Sequence, residues 1–577
     1  DGDTIQGNAL ADFQAQVRPL ACGEKLAMYK AMDAVGFDGG TIGNHEFNYG
    51  LPFLAQVTAT PFPIPGVPAR HCTGPNFPLV LSNVYTQDGK PLYAPYQVIE
   101  KTYTAWTPDG SRLRVPLRIG LLGFTPPPIL KWDKVSLAGR VRVEGMVEAA
   151  ERWLPELRAK GVDLVIAVSH AGLNPQPYAP DMENANWHLA GVDGIDALLM
   201  GHSHQVFPDP GNPNSRFRNL PEVDAERGFV RGVSAVMGGF YGRDLGVIQL
   251  ALVRRDGRWQ VQRELSHSEV RAVKDAVGKA VAADPTIARL IAAEHKATLA
   301  WLGTRIGRSE VELGSMFADV GEVSALAVVN AAQREHVAGW LRAQRPDLAD
   351  VPVLSAAAPF KSGFAGPDDY TAVPAGPLTV RSAMDLYLYP NTIAALLIDG
   401  AGLKAWLEKS AERFNRIDPA RTAAQPLINK RVPGYNFDVI QGGIDYVIDP
   451  SRPAGERIVA LNYRGQPVAP AQRFVVATNN YRASDAAFVG AGASVILEGT
   501  RTNREIVIDY IKTHRTLAGA ELTARPWHFA PLSPAGAVTF TAPRGKAARA
   551  QALGIALDAL EDNGDGTSIY AVGFTKP

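Results

Sequence analysis

The apolar positions of the first half of the chain alternate between helical and strand-like spacing. Residues 24–35 repeat apolar side chains with a helical period, and residues 144–159 predict a second helix. Residues 205–230 are rich in Pro, Asn and Asp and predict a surface excursion, and residues 233–251 predict a hairpin that closes this half. Residues 37–42 predict a short strand and residues 119–124 a buried one, and the apolar runs at residues 162–168 and 195–200 predict strands of the parallel-sheet type.

A second region of strands and helices follows. Residues 284–302 have a helical period and a start signal, Asp284 before Pro285, and predict an inter-domain helix. The last forty or so residues combine an Ala-rich helix with a polar turn. Between them we expect helices near residues 322–344 and 401–413, and strands at 351–355, 392–398, 443–448 and 473–477. We therefore expect an α/β protein with domains at residues 1–280 and 304–577, joined by a linker helix at residues 281–303.

Composition excludes several classes of protein. Of the 577 residues, 46% are hydrophobic and 20% are charged, which allows a sizeable core and excludes a disordered chain. Lys and Arg number 58, as do Asp and Glu, so the chain lacks the basic footprint of a protein that binds nucleic-acid duplexes. No apolar run reaches the length of about 18 residues that indicates a membrane span. Cys22 and Cys72 form either one disulfide or two buried thiols.

Side chains that bind metal ions follow the predicted strand ends at several places in the first half. They are Asp3 in DGDTIQGN, Asn44 and His45 in TIGNHEFNYG, His170 in AVSHAGL, and His202 and His204 in MGHSHQVF. Because the carboxyl ends of parallel strands meet at one edge of a sheet, we expect these side chains to lie together. Imidazole, carboxylate and amide donors favour Zn, Mn, Fe or Co over an all-oxygen calcium site. Two such divalent ions about 4 Å apart suit the in-line displacement of a phosphoryl group.

The order of these motifs resembles the calcineurin-type metallophosphoesterase superfamily and, more narrowly, the two-domain 5'-nucleotidase family. The segments SAAAPFK, DLYLYPNT, YNFDVI and ATNNYRA add to this likeness, which covers nearly the whole chain. They are similar to the bacterial periplasmic branch that acts on 2',3'-cyclic nucleotides and 3'-nucleotides. The resemblance implies an N-terminal metallophosphoesterase β-sandwich flanked by helices, a linker helix, and a C-terminal α/β domain of the 5'-nucleotidase type.

The resemblance also implies a role for each residue of the metal-binding motifs. His45 matches the catalytic histidine, which stabilises the transition state or protonates the leaving oxygen. The metal ligands are Asp3 as the bridging aspartate, Asn44, His170 and His202 at one ion, and His204 at the other.

Two departures from the family pattern affect these expectations. The family's first motif, an Asp-x-His on the first strand, is absent because the chain opens at Asp1. We therefore expect that residues preceding Asp1 complete the second metal site. Many relatives also carry an aspartate three residues after the catalytic histidine, where this chain has Asn48. An amide orients an imidazole but does not stabilise its cation as a carboxylate does, which weakens the expectation that His45 acts as an acid.

The resemblance places substrate recognition in the second domain. Relatives hold the nucleobase between two aromatic rings, and Tyr389 and Tyr481 are the matches, with Tyr387 and Phe488 as their respective rivals. Lys361 falls where other nucleotidases place an arginine that contacts phosphate. A solvated lysine in a Gly-rich turn is the alternative.

The expected function is metal-dependent hydrolysis of 2',3'-cyclic nucleotides to 3'-nucleotides, and of 3'-nucleotides to nucleoside and phosphate. The alternatives are a 5'-nucleotidase or nucleotide-sugar hydrolase of the same family, or a nucleotide-binding protein without activity. We expect a monomer with a small nucleotide as its partner, and no duplex nucleic acid or membrane. The chain starts without an initiator Met or a signal sequence, which we interpret as a cut, and we expect a periplasmic or secreted protein.

Overall fold

A computed structural model describes residues 1–213, 215–255, 257–275, 278–363, 366–490 and 492–574. The chain divides into two compact units, Asp1–Thr298 and Leu299–Pro577, and each combines sheets with helices. This confirms the α/β class and the two-domain organisation. The predicted linker helix is observed as two helices, Pro285–Leu290 and Ala292–Leu302, and the side chain of Asp284 caps the first of them. The boundary between the units falls inside the second helix, and the limits 1–280, 281–303 and 304–577 stay a prediction.

The first unit is built around an eight-stranded mixed sheet. Its strands, in spatial order, are Val223–Asp224, Phe229–Val230, Val233–Gly238, Ala197–Met200, Leu164–Ser169, Arg112–Phe124 and Tyr96–Trp106, with Val206–Phe207 paired to Val233–Gly238. The four strands from Val233–Gly238 to Arg112–Phe124 are parallel, so their carboxyl ends share one edge of the sheet. The strands predicted at 119–124, 162–168 and 195–200 are thereby confirmed.

Two strand predictions in this unit need correction. The strand predicted at residues 37–42 is reduced to Gly40–Thr41, which pairs with Leu79–Val80 outside the main sheet. The predicted hairpin at residues 233–251 is wrong, because Asp244–Gln249 pairs with His267–Ala272 and not with the preceding strand. The connection contains residues with left-handed backbone, and they turn the chain out of the main sheet.

Two apolar clusters form the core of the first unit. One cluster lies between the main sheet and the helix Met146–Ala159, and the other surrounds the helices Ala27–Val35 and Leu51–Val57. The remaining helices are Ala9–Asp12, Phe13–Val17 (a π-helix), Ile129–Trp132, Lys134–Leu137 and Asn186–Leu189, with short 3-10 helices at His45–Phe47 and Arg263–Leu265. The remaining strands form the pairs Val84–Thr86 with Val141–Val143, and Leu252–Arg255 with Arg258–Val261.

Cys22 and Cys72 are bonded to each other, which decides between the two alternatives in favour of a disulfide. The bond joins positions 50 residues apart and closes a loop that contains the helices Ala27–Val35 and Leu51–Val57. Within the described ranges, no helix has both the length and the apolar character needed to cross a membrane.

The second unit contains a five-stranded sheet. Its strands, in spatial order, are Val439–Gln441, Val353–Ala357, Arg473–Asn479, Thr392–Asp399 and Ser494–Thr502. The helices of the unit are Ser324–Gln344, Val380–Leu386, Gly400–Ser410, Asn480–Ser484, Ala486–Val489, Asn503–His514, Gly519–Thr523 and Ala547–Ala552. The long helix and the strands predicted from periodicity are confirmed within a few residues.

Smaller sheets complete the second unit. They comprise Gly376–Thr379, Arg305–Ser309 and Thr516–Leu517; Leu313–Gly314 and Ala372–Val373; Gln466–Pro467, Ile458–Tyr463, Ile444–Ile448 and Trp527–Phe529; and Gln425–Pro426, Val538–Pro543, Thr567–Val572 and Leu557–Asp562. The last of these sheets contains three strands near the end of the chain that periodicity did not predict. The Ala-rich helix predicted there is Ala547–Ala552.

Candidate functional site

The candidate metal centre lies where the segment around Asp3 crosses the segment around Asn44. Two glycines permit this crossing. A Cβ on Gly43 would lie 2.4 Å from Oδ1 of Asp3, and a Cβ on Gly2 would lie 2.4 Å from the backbone nitrogen of Gly43. Side chains larger than hydrogen would therefore separate the two segments.

Glu46 holds the same two segments together from inside the protein. Its buried carboxylate accepts hydrogen bonds from the backbone N–H groups of Asp3 and Gly43, both at 2.7 Å, and from those of Thr4 and Ile5. A carboxylate that gathers several backbone donors fixes the path of both segments. Sequence reasoning assigned no role to Glu46, although its place directly after His45 was a usable signal.

The carboxylate of Asp3 contacts two of the predicted site residues. Its Oδ1 accepts the backbone N–H of His45 at 2.9 Å, and its Oδ2 lies 2.9 Å from Nε2 of His170. Burial acts to raise the pKa of Asp3, but the neighbouring His170 and His45 outweigh it and hold this pKa well below its usual range. Asp3 is therefore an ionised carboxylate at the centre of the cluster.

His170 presents a buried ring nitrogen without a hydrogen bond. Its Nδ1 lies 2.7 Å from the carbonyl oxygen of Asp1, which only accepts, so Nδ1 carries the ring proton. The opposite nitrogen, Nε2, is buried and makes no hydrogen bond in the described structure, although Oδ2 of Asp3 lies close to it. Two acceptors that face each other in a buried place require a cation between them, either a proton or a metal ion.

His202 is held in the same way as His170, but its two ring nitrogens have exchanged roles. Its Nε2 lies 2.7 Å from Oε1 of Glu183, so Nε2 carries the proton and Nδ1 has the lone pair. That Nδ1 lies 3.1 Å from Oδ1 of Asn44, and the ring lies edge-on to His170 with centroids 5.2 Å apart. Trp132 stacks on the ring with centroids 5.6 Å apart. Glu183 and Trp132 orient this imidazole, and neither was identified from the sequence.

His204 lies beside the cluster, with its ring stacked on Phe240 at a centroid distance of 4.9 Å. Desolvation by the surrounding protein atoms, together with the other histidines, lowers the pKa of His204 to about 4, although Asp3 opposes the shift and part of the residue is exposed to solvent. The ring is therefore neutral, the form in which imidazole binds metal ions. Asp3, His202 and His204 all have positive φ angles, between 55° and 64°. Such strained backbone in residues other than glycine is concentrated at functional sites.

His45 lies at one end of a hydrogen-bonded chain of three side chains. Its Nδ1 is 2.6 Å from Oδ1 of Asn48, and Nδ2 of Asn48 donates to Oδ1 of Asp133 at 2.8 Å. Burial raises the pKa of Asp133 to about 7, although the hydrogen bond from Asn48 and the nearby His45 oppose the shift. Asp133 comes from a distant segment and was not identified from the sequence.

The donor set suits divalent ions of the Zn, Mn, Fe or Co type. It comprises one carboxylate, one amide oxygen and three imidazoles, of which His170 and His202 have their lone pairs assigned by a second hydrogen bond. Among the described residues, no three His, Cys, Asp or Glu side chains already form a group that could hold a metal ion. The structure thus gathers Asp3, Asn44, His45, His170, His202 and His204 at one edge without forming a closed ligand shell.

A second set of predicted residues gathers at one edge of the five-stranded sheet. Tyr481 follows the strand Arg473–Asn479, and Tyr389 precedes Thr392–Asp399, which pairs with it so that Ile393 lies opposite Asn479. Lys361 follows the strand Val353–Ala357, which runs parallel to Arg473–Asn479. The topology of the second unit therefore brings all three residues to the same edge.

The structure separates the predicted aromatic residues from their rivals. Tyr387 is only 2% exposed, and its hydroxyl accepts a hydrogen bond from Asn503. Phe488 is also buried, and the guanidinium of Arg482 covers its ring at 3.6 Å. Tyr389 and Tyr481 are both partly exposed, and Phe360 supports Tyr389 edge-on at 5.2 Å. Neither rival ring offers a free face to a base.

Lys361 is paired with a carboxylate. Its Nζ donates to Oδ1 of Asp385 at 2.9 Å, and both side chains are partly exposed. A phosphate at this position would share or replace that partner. Tyr435, which sequence reasoning passed over, lies next to this edge and is 53% exposed. The carbonyl oxygen of Tyr435 accepts a hydrogen bond from the buried Arg482 at 2.9 Å.

Comparison with known proteins places this chain among phosphoesterases. Residues 305–488 match the family described as 5'-nucleotidase, C-terminal domain. The chain is 38% identical over 530 residues to the 2',3'-cyclic-nucleotide 2'-phosphodiesterase/3'-nucleotidase of Yersinia enterocolitica, and the match covers 89% of this chain and 77% of that protein. The protein of the same name from Salmonella typhimurium is 38% identical over 553 residues, with coverages of 92% and 81%.

A solved structure shows the same fold. The 5'-nucleotidase precursor from Thermus thermophilus aligns with a TM-score of 0.55 and 18% identity, covering 92% of this chain and 89% of its own. At this level of identity, the likeness concerns the fold alone.

Proposed function

The chain belongs to the family of the 2',3'-cyclic-nucleotide 2'-phosphodiesterase/3'-nucleotidases, and we propose that the cluster around Asp3 is where it hydrolyses these substrates. The reaction opens a 2',3'-cyclic nucleotide to the 3'-nucleotide and then releases the nucleoside and phosphate. The observation that carries the assignment of the site is the buried pair of acceptors, Nε2 of His170 and Oδ2 of Asp3, which calls for a cation at the strand ends.

The residues that would hold divalent ions are Asp3, Asn44, His170, His202 and His204. Such ions, when bound, neutralise phosphoryl charge and activate water. Glu183 and the carbonyl oxygen of Asp1 hold the rings of His202 and His170 with their lone pairs turned toward the other ligands. Glu46 keeps the Asp3 and Asn44 segments together, so the ligand set is preorganised by hydrogen bonds.

His45 is the proposed catalytic residue. Water adds to phosphorus and gives up one proton to solvent, the bond to the ribose 2'-oxygen breaks, and that oxygen takes up a proton from the acid, which regains one from solvent; the product is the 3'-nucleotide. In the second reaction the bond to the 3'-oxygen breaks in the same way. A protonated His45 supplies the proton to the leaving ribose oxygen, and the hydrogen bond from its Nδ1 to Asn48 directs the opposite nitrogen, Nε2, to this task.

Tyr389 and Tyr481 are the proposed base-binding residues, and Lys361 is a proposed phosphate contact. Partly exposed aromatic rings at one sheet edge suit stacking on a flat nucleobase, which is tolerant of base identity. The disulfide between Cys22 and Cys72 supports export to an oxidising compartment, as expected for a periplasmic or secreted protein.

A substrate and metal assay on the full chain tests this proposal. We expect hydrolysis of 2',3'-cyclic AMP and of 3'-AMP, with 3'-AMP as the first product of the cyclic substrate. A chelator should abolish both reactions, and metal analysis should find two ions per chain. Preferential hydrolysis of 5'-AMP would point to a 5'-nucleotidase. Nucleotide binding without turnover in the presence of metal would point to a protein without catalytic function.

A further inference from the structure

We infer that Asp133 is a positioning residue for His45, acting through Asn48. The inference rests on the proposed function of His45 and adds a residue that the sequence motifs do not contain. Asp133 lies 85 positions from Asn48 in the chain, between the short helices Ile129–Trp132 and Lys134–Leu137. The preceding residue, Trp132, stacks on His202, so this segment packs against the candidate site at two points.

The polarity of the hydrogen bonds defines what Asp133 does. The NH2 group of the Asn48 amide donates to Oδ1 of Asp133 at 2.8 Å, and this contact favours the ionised carboxylate, which only accepts hydrogen bonds. The carbonyl oxygen of Asn48 then has to face Nδ1 of His45, as observed at 2.6 Å. The proton of the imidazole is thereby held on Nδ1. The two hydrogen bonds therefore run in one donor-to-acceptor direction, from His45 through Asn48 to Asp133, and Asp133 sets that direction.

Without Asp133, the amide of Asn48 has two orientations of similar energy. In the second orientation its NH2 group faces Nδ1 of His45, which holds the ring proton on Nε2. An imidazolium carries protons on both nitrogens and cannot accept from an amide NH2 group. The protonated form of His45 that serves a leaving oxygen is therefore compatible only with the orientation that Asp133 enforces.

The position of Asp133 suits this role better than a role in stability. Its side chain is buried, and its Oδ2 has no hydrogen-bond partner in the described structure. A buried carboxylate with an unsatisfied oxygen opposes folding and does not support it. Asn48 lies between this carboxylate and the imidazole, so Asp133 reaches His45 through one intervening side chain.

The test replaces the carboxylate with an amide of the same shape. Asp133→Asn in the full chain with its metals bound should lower kcat for 3'-AMP by about tenfold or more, with KM unchanged. p-Nitrophenyl phosphate, whose leaving group departs without a proton, should lose less than about twofold. Asp196→Asn is the matched control, because this carboxyl accepts from the backbone of Val165 at the opposite strand end. It should change neither rate.

An exchange of the two residues provides the rescue. In the double variant Asn48→Asp/Asp133→Asn, the carboxylate introduced at position 48 accepts directly from Nδ1 of His45, and the amide introduced at position 133 donates to that carboxylate. This variant should recover turnover of 3'-AMP to within about threefold of the parent enzyme. Equal losses on both substrates for Asp133→Asn, loss of metal, or no rescue by the exchange would show that Asp133 acts only through packing.

A spectroscopic readout separates this inference from the proposed function. Nitrogen-15 spectra of histidine-labelled protein, with the His45 signals assigned by His45→Ala, should show the Nδ1–H form of His45 in the parent. Both tautomers should appear in Asp133→Asn. If the parent does not hydrolyse 3'-AMP, the proposed function is wrong, and these spectra still decide whether Asp133 sets the tautomer. An unchanged tautomer in Asp133→Asn overturns the inference.

Discussion

Each unit collects residues from distant parts of the sequence at one edge of a sheet, but the two edges hold them differently. In the first unit, Asn44, Glu46 and His170 are buried, and hydrogen bonds assign the proton of each of the His170 and His202 rings. In the second unit, Tyr389 and Tyr481 are partly exposed. Chemistry on a phosphoryl group needs fixed polarity in a place shielded from water, whereas stacking on a base needs only an open ring face.

The comparison is sharpest at His45, because this residue has no counterpart at the second edge. His45→Ala should lower turnover of 3'-AMP by about 10²-fold or more, since a positioned proton donor is lost. The metal content, measured by elemental analysis, should stay at the parent level because the ligands are untouched. His188→Ala is the control, since its ring makes a hydrogen bond to the carbonyl oxygen of Gln176 and packs against Tyr178 and Trp187, none of which is a proposed ligand or catalytic residue. Unchanged turnover in His45→Ala would remove His45 from the mechanism.

Glu183 tests whether the fixed polarity of the first edge matters for metal binding. Glu183→Gln should weaken metal affinity by roughly 10- to 100-fold, because the carboxylate no longer holds the proton of His202 on Nε2. Competition with a coloured chelator measures this affinity directly and independently of turnover. Glu335→Gln removes a similar contact to a histidine, His514, in the other unit and should leave the affinity unchanged. Equal affinities for the Glu183→Gln variant and the parent would contradict the assigned role.

The predicted metal ligands could be identified from the sequence, but the residues that orient the side chains of the site could not. His170, His202 and His204 were predictable because they follow strands whose apolar runs are visible in the sequence, whereas Asp3 and Asn44 follow no such run and were assigned by the family resemblance of their motifs. Glu183 and Asp133 carried no local signal, because their partners His202 and Asn48 lie 19 and 85 positions away. Hydrogen bonds of this kind arise only from the tertiary fold.

The fold could likewise be predicted from the sequence only in part. Continuous apolar runs identified the parallel strands, since a strand buried on both faces has few polar positions. Strand pairing was less predictable, as the wrong hairpin at residues 233–251 shows, because the turn after Gly238 directs the second strand to His267–Ala272. At the second edge, Tyr387 and Tyr389 were indistinguishable by spacing, and only burial separated them.

The aromatic residues of the second edge should affect binding and not chemistry. Tyr389→Ala and Tyr481→Ala should each raise KM for 3'-AMP by roughly 5- to 10-fold, near the lower end of the energies for base stacking. Turnover of p-nitrophenyl phosphate, which has no base, should be unaffected. Tyr389→Phe and Tyr481→Phe keep the ring and serve as controls with parent-like KM values. A loss of kcat on both substrates would place these tyrosines in the catalytic machinery instead.

Lys361 should show the smallest effect, because its charge is already paired. The ammonium group donates to Asp385 at 2.9 Å on a partly exposed surface, where ion pairs contribute only about 0.2–1 kcal/mol. A substrate phosphate has to compete with that carboxylate, so Lys361→Gln should raise KM for 3'-AMP by only about two- to threefold. Lys409→Gln is a matched control, because Lys409 makes a similar contact of 2.8 Å to Glu412. A tenfold effect specific to Lys361 would mean that the second edge, like the first, carries a fixed charge for the phosphate.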